Sequence, residues 1–224
     1  MSNQQLLHIS DVQLCGNYKN FPNGLRWLCW PHFPLQMIPS NFPLDRVVAL
    51  EMPHTCLKKM LNGTKCLVLL KILDLSHSYN LLEAPDFSLL PNLVRHILEH
   101  CTRLVKVNES IGDLERFVIL NLRNCQNLKK LPKTVSKLKS LAILDISGCL
   151  NLENFPSELE NMDSLKVLCA DGTALNQFFS TTLEVEAWHL SIWPWPLNLR
   201  RSPEISCVSF SVFGTLKSCK LQFV

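Results

Sequence analysis

Cysteine and histidine recur along this chain at intervals that invite a chemical reading. Cys101, Cys125 and Cys149 stand 24 residues apart, and His32, His54, His77 and His100 stand 22 or 23 apart. Thiols and imidazoles are the usual zinc ligands and the usual nucleophiles and bases of hydrolases. Those chemistries rest on short local spacings or on a base placed beside a nucleophile. The ten cysteines include no CxxC pair and no Cys/His interval of zinc-site type. The serines and thiols have no base set beside them by any motif. A GxxxxGK[ST] phosphate loop is also lacking, so nothing in the sequence is built to hold ATP or ADP. The residues read as those of a non-catalytic protein with no resident cofactor or metal. The long interval itself needs another explanation.

That explanation is an internal repeat. The segment "LNLRNCQNLKKLP" (120–132) matches "LDISGCLNLENFP" (144–156) in its Leu, Cys, Leu and Pro slots. Leu-like residues open seven such phrases, at Leu25, Val47, Leu70, Leu93, Phe117, Leu141 and Leu165, in steps of 22, 23, 23, 24, 24 and 24. Within each phrase the first, fourth and sixth slots are apolar, and the fourth and sixth alternate with polar neighbours. That period predicts a short strand with one buried face. So short a strand must pair with its counterpart in the next repeat, all running in one direction, about 4.8 Å apart. The rest of each repeat returns across the back, with helix-start signals at Ser110–Asp113 and Ser157–Glu160. The fold class implied is an α/β solenoid. It has a curved parallel sheet on the concave face and short helices, 3-10 turns and loops on the convex face.

The period accounts for the cysteines. The ninth slot holds Thr55, Ser78, Cys101, Cys125, Cys149 and Thr173, all small donors. A buried column of such donors can satisfy carbonyls stranded where the backbone turns in after the strand. A redox or metal column is the sharper alternative, but a buried Cys without local signals is ordinarily inert. His96 falls in a fourth slot where Leu is expected, which implies a buried neutral imidazole with one backbone partner.

These phrases resemble the leucine-rich repeats of plant intracellular immune receptors of the TIR-NB-LRR class. The residues that carry the resemblance are the ninth-slot Cys of "LxxLxLxxCxxLxxLP" and three longer wordings. Those are "LRWLCWPHFPLQMIPSNFPLDRVVALEMP", "LDLSHSYNLLEAPDFSLLPNL" and "LKVLCADGTAL". The resemblance runs over roughly residues 5–178. It implies a cytoplasmic or nucleocytoplasmic protein that senses pathogen effectors and holds a receptor inactive until they appear. It also implies a truncated form, since no TIR or nucleotide-binding sequence precedes the repeats. The expected organisation is a cap and degenerate first repeat over 1–24, repeats over 25–178, and an irregular segment over 179–224. In that last segment Trp188, Trp193 and Trp195 would cap the open end of the solenoid, and Leu216, Cys219 and Leu221 would form a final degenerate rung.

The third, fifth, seventh and eighth slots are expected on the concave side. They give a candidate partner surface of Glu51, His54, Asp74, His77, Arg95, Glu99, His100, Asn121, Arg123, Asn124, Asp145 and Asp171. Mixed signs suit a protein partner: a pathogen effector, a guarded host protein or the nucleotide-binding domain of a fuller receptor. A nucleic acid would call for uniform Lys and Arg, and the net charge is only +3. No apolar run reaches the roughly 18 residues of a membrane span. The basic group Lys129, Lys130, Lys133, Lys137 and Lys139 reads as a solvated face. The four eighth-slot histidines read as a polar rim or, more sharply, as a pH-sensitive or metal-binding edge. A repeat scaffold or adaptor unrelated to immunity is the alternative reading of the whole chain.

Overall fold

A computed structural model describes residues 5–9, 21–61, 65–153, 156, 162–173 and 210–211. Its strands are β1 (Leu6–His8), β2 (Trp27–Cys29), β3 (Ala49–Glu51), β4 (Ile72–Asp74), β5 (Arg95–Ile97), β6 (Ile119–Asn121), β7 (Ile143–Asp145), β8 (Val167–Cys169) and β9 (Phe210–Ser211). They form one sheet in chain order. From β1 to β8 every pairing is parallel, and the register never slips. Leu28, Leu50, Leu73, His96, Leu120, Leu144 and Leu168 lie side by side along it. The fold is a leucine-rich-repeat solenoid.

The spine is where the period places it. The phrase-opening residues Leu25, Val47, Leu70, Leu93, Phe117, Leu141 and Leu165 are all buried, as are the sixth-slot Leu75, Leu98, Leu122 and Ile146. They belong to one continuous apolar cluster. Each fully buried Leu-sized side chain contributes about 1.5–3 kcal/mol through removal from water. The early repeats add large rings. Trp30 meets Phe33 edge-on at 4.9 Å, and Phe21 packs on Phe42 at 4.6 Å. His96, alone among the fourth-slot residues, brings a polar ring into this core. It is fully buried, its Nδ1–H donates to the Leu73 carbonyl at 3.0 Å, and its Nε2 has no partner.

The ninth-slot column is also in place. The thiols of Cys101, Cys125 and Cys149 donate to the carbonyls of Leu75, Leu98 and Leu122 at 3.1–3.2 Å. Each thus satisfies a sixth-slot carbonyl of the repeat before it. Thr55 and Ser78 share a hydroxyl bond of 2.8 Å, and Thr173 donates to the Ala170 carbonyl. The seven described cysteines are all free thiols.

One strand stands outside the repeats, and one expectation is corrected. Strand direction reverses at the end, because β9 pairs antiparallel to β8. An edge strand needs only donors and acceptors at the right spacing, and either direction supplies them. On the convex side, the helical turns among the described residues are 3-10 segments at Phe87–Leu89, Glu109–Asp113 and Lys133–Lys137. Ser110 is not the cap of its turn. Asn108 holds that place, and its Oδ1 accepts from the Ser110 N–H. The Ser110 hydroxyl instead ties its turn to the previous repeat, donating to Asp86 Oδ1 at 2.9 Å and accepting from the Phe87 N–H. The turns stack closely enough that a Cβ at Gly112 would sit 2.7 Å from the Thr134 carbonyl oxygen. The signal at Ser157–Glu160, the proposed tryptophan cap and the final rung at Leu216–Leu221 lie outside the described residues.

Candidate functional site

Three rows of side chains cross the concave face, each fixed by its slot. The fifth slot runs Glu51, Asp74, Ile97, Asn121, Asp145, in lateral register across β3 to β7. Glu51 accepts the Trp27 indole N–H at 3.0 Å. Asp74, Asn121 and Asp145 each turn one side-chain oxygen onto the backbone N–H two residues on, at Ser76, Arg123 and Ser147 (2.8–2.9 Å). These three residues therefore also shape the turn that leaves the strand. The remaining carboxylate oxygen is what Asp74 and Asp145 can offer a partner. Burial raises the pKa of Asp145 above the ordinary carboxylate value, against the pull of its Ser147 hydrogen bonds and of Arg123.

The seventh slot, just past the sheet, holds Glu99, Arg123 and Asp171, and Arg95 stands in the third slot of β5. Burial raises the pKa of Glu99, while Arg123 and His77 draw it back. All twelve candidate residues except the exposed His54 are half-buried. They are held in place, yet still meet solvent.

The eighth-slot residues lie on the rim, beyond the strands. His32, His54, His77, His100 and Asn124 all have φ between +57° and +59°, and Gly148 and Gly172 follow at +71° and +63°. This is the left-handed region, which Gly enters freely and Asn and His enter more readily than other residues. The slot needs that dihedral because the chain must turn inward without leaving the ladder. The eighth-slot N–H still bonds forward, from His54 to Ser76 O, His77 to Glu99 O, His100 to Arg123 O and Asn124 to Ser147 O, at 2.7–2.8 Å. The progression from His to Asn to Gly is a sequence signal for a left-handed position, and a reading based on charge passes over it.

The same geometry stacks the rings. His32–His54, His54–His77 and His77–His100 have centroids 5.1, 4.5 and 4.7 Å apart and planes within 21°, 13° and 11°. Asn124 closes the row, its amide 3.1 Å from His100 Nε2. Tyr79 flanks it, with its hydroxyl 3.3 Å from His77 Nδ1. Burial, then His77 and His32, lower the pKa of His54; burial, then His100, lower that of His77; and burial followed by Arg123 lowers that of His100. Face-to-face rings do not converge their nitrogens on a point. Among the described residues no group of three or more His, Cys, Asp or Glu is arranged to hold a metal ion.

The ninth-slot thiols behind this rim are poor nucleophiles. Burial pushes Cys101 and Cys149 up to about 12 and Cys125 well above the ordinary thiol value. They stay protonated at neutral pH and so remain hydrogen-bond donors.

A surface row that a search for polar residues does not select is the third slot. Ile72, Ile119, Ile143 and Val167 are half-buried on the concave side, interrupted by Arg95. Apolar strips of this kind carry contact energy at protein interfaces, and the charges around them carry orientation.

The chain is 40% identical over 103 residues to disease resistance protein RRS1B of Arabidopsis thaliana, covering 46% of this chain and 7% of that protein. It is 36% identical over 108 residues to disease resistance protein RUN1 of Vitis rotundifolia, covering 48% and 8%. The chain thus matches less than a tenth of the length of these relatives. Among solved structures, the leucine-rich repeat domain of the type III effector XopL is similar, with a TM-score of 0.47, 24% identity and coverage of 66% of this chain and 62% of that one. No family model matches. Over about half its length, this leucine-rich-repeat chain is a homologue of plant disease resistance proteins.

Proposed function

We propose that the chain is the non-catalytic, protein-binding repeat domain of a plant intracellular immune receptor, sensing an effector and restraining signalling until it arrives. The observation that carries this reading is the concave face. Its half-buried acids and arginines flank an isoleucine strip, a surface of mixed character that suits a folded protein better than a phosphate backbone. Homology to resistance proteins supplies the immune setting. The partner is a pathogen effector, a guarded host protein or the nucleotide-binding domain of a receptor, met in the cytoplasm or nucleus. Among the described residues no helix is long and apolar enough to cross a membrane.

The test is proximity labelling in leaf tissue, with and without pathogen challenge. It compares the wild-type chain with a variant carrying Arg123→Glu and Asp171→Lys. The expected result is a partner set that changes on challenge and is lost in the variant, at unchanged Tm. One constant partner in resting and challenged tissue would overturn the immune reading in favour of an adaptor. Identical partners with and without the two reversals would remove the concave face.

A further inference from the structure

The left-handed turn explains why the eighth slot avoids most residues, but it does not explain four imidazoles. Further along the same column Asn124, Gly148 and Gly172 meet the same dihedral requirement at lower cost. What His adds is ring-on-ring contact over four repeats, at 4.5–5.1 Å. At that distance two imidazolium charges repel each other, several times more strongly at a protein surface than in bulk water.

The charged and titratable groups facing the row come from several repeats. Asp74 faces His54 and His77, Glu99 faces His77, and Glu99 Oε1 lies 3.8 Å from His100 Nε2. Arg123 faces His100, and the Tyr79 hydroxyl touches His77. The acids favour a first proton on the row. Neighbouring rings and Arg123 oppose the next ones. A stack in which each ring has a like neighbour cannot take up protons independently.

We propose that the stacked histidines are a proton-sensitive rim of the concave face, closed as a neutral stack and spread apart when protons enter it. Adjacent rings that become charged must separate, either by rotating about their side-chain bonds or by moving the turn that carries them, and amide exchange at the rim reads the second. That turn also holds the forward hydrogen bonds from the His54, His77 and His100 amides and the seventh-slot side chains Glu99 and Arg123. Acid therefore loosens one lip of the surface. That the loosened lip changes partner engagement rests on the function proposed above. The rim's response to protons does not, and the measurements below use the chain alone.

The experiment is a histidine NMR titration of the whole chain between pH 8 and 5. Amide hydrogen exchange at His54, His77 and His100 is followed at pH 7.5 and 5.5 and corrected for intrinsic rates. In the wild type, the central rings should titrate below 6.5 with curves stretched beyond a single-site shape. His54→Asn, which keeps a residue suited to the dihedral, should raise the His77 midpoint by about half a unit or more and sharpen its curve. Protection of the rim amides should fall at least tenfold more between the two pH values in the wild type than in His54→Asn, with the buried His96 present in both. His100→Asn gives the same readout at His77 should the first variant fold poorly. Independent single-site curves near 6.5, unmoved by either substitution, would overturn the proposal. Equal loss of rim protection in wild type and variants would do the same.

Discussion

Two columns run side by side through the turn that follows the sheet, one residue apart in every repeat. The ninth slot is buried and uses Cys and Thr173 to satisfy carbonyls, with Thr55 and Ser78 paired through their hydroxyls; the eighth is on the rim and uses His, Asn and Gly to hold a left-handed backbone. In the first column the side chain does the work, and the backbone merely delivers it. In the second the backbone sets the requirement, and the side chain is free to vary among residues that tolerate it. The difference teaches that neighbouring positions in a repeat can be restricted for unrelated physical reasons. Stability should reside in the buried column and its leucine neighbours, and chemical responsiveness in the exposed one.

That division gives unequal outcomes for single substitutions. Leu144→Ala, in the centre of the spine, should cost about 2–5 kcal/mol in chemical denaturation, as buried Leu truncations do. If it costs less than Gly148→Ala, the spine is not what holds the repeats together. His96 tests burial against exposure for one residue type. Its ring is pushed down to about 4 by burial, with the Leu73 hydrogen bond pulling the other way. A folded pKa below the unfolded one means that the unfolded chain takes up the proton first. Stability is therefore full above about 6.5 and declines as pH falls toward 4. At about 1.4 kcal/mol per unit, the loss approaches 3 kcal/mol. His96→Leu should remove that share of the decline, seen as a Tm that drops less between pH 7 and 4.5 than the wild-type Tm does.

Cys125→Val removes the thiol donor from the Leu98 carbonyl, which keeps its bond from the Cys101 N–H, at a cost of about 1.5 kcal/mol. Cys125→Ser should retain most of the stability, because Ser78 already fills this slot. Gly148→Ala strains a left-handed residue and drives a Cβ into the Asn124 side chain, a loss of about 1–2 kcal/mol. The smallest change expected is His77→Asn at pH 7.5, within about 0.5 kcal/mol. A loss of several kcal/mol there would mean that the ring stack, and not the dihedral, holds the rim.

Much of this was written in the sequence. The apolar slots predict the parallel sheet because a strand of three residues has no other way to bury Leu73 or Leu120 than beside its copies. The ninth-slot donors were readable from size and hydrogen-bonding type alone. The eighth slot is legible as a polar or pH-sensitive edge, but the left-handed dihedral that its His, Asn and Gly share is not, since they have no charge or size in common. The fifth-slot Asp74, Asn121 and Asp145 look like free ligands in a sequence, yet each is half committed to its own turn. The isoleucine strip at Ile119 and Ile143 was overlooked because apolar residues beside a leucine repeat read as core. The Ser110 helix signal failed for a local reason: Asn108, two residues earlier, already caps the turn by accepting the Ser110 N–H, so Ser110 lies inside the turn it was expected to start.

The aromatic rings of the early repeats have a mechanical consequence. A stacked array is only as strong as its weakest joint, and joints yield in sequence from whichever end is softer. Trp30, Phe33 and Phe42 bolt the first turns, whereas the described end around Met162 and Leu165 has no ring of that size among its core residues. Among the described repeats, those around Met162 and Leu165 should yield to load before the aromatic turns, which should give way last and at the highest force.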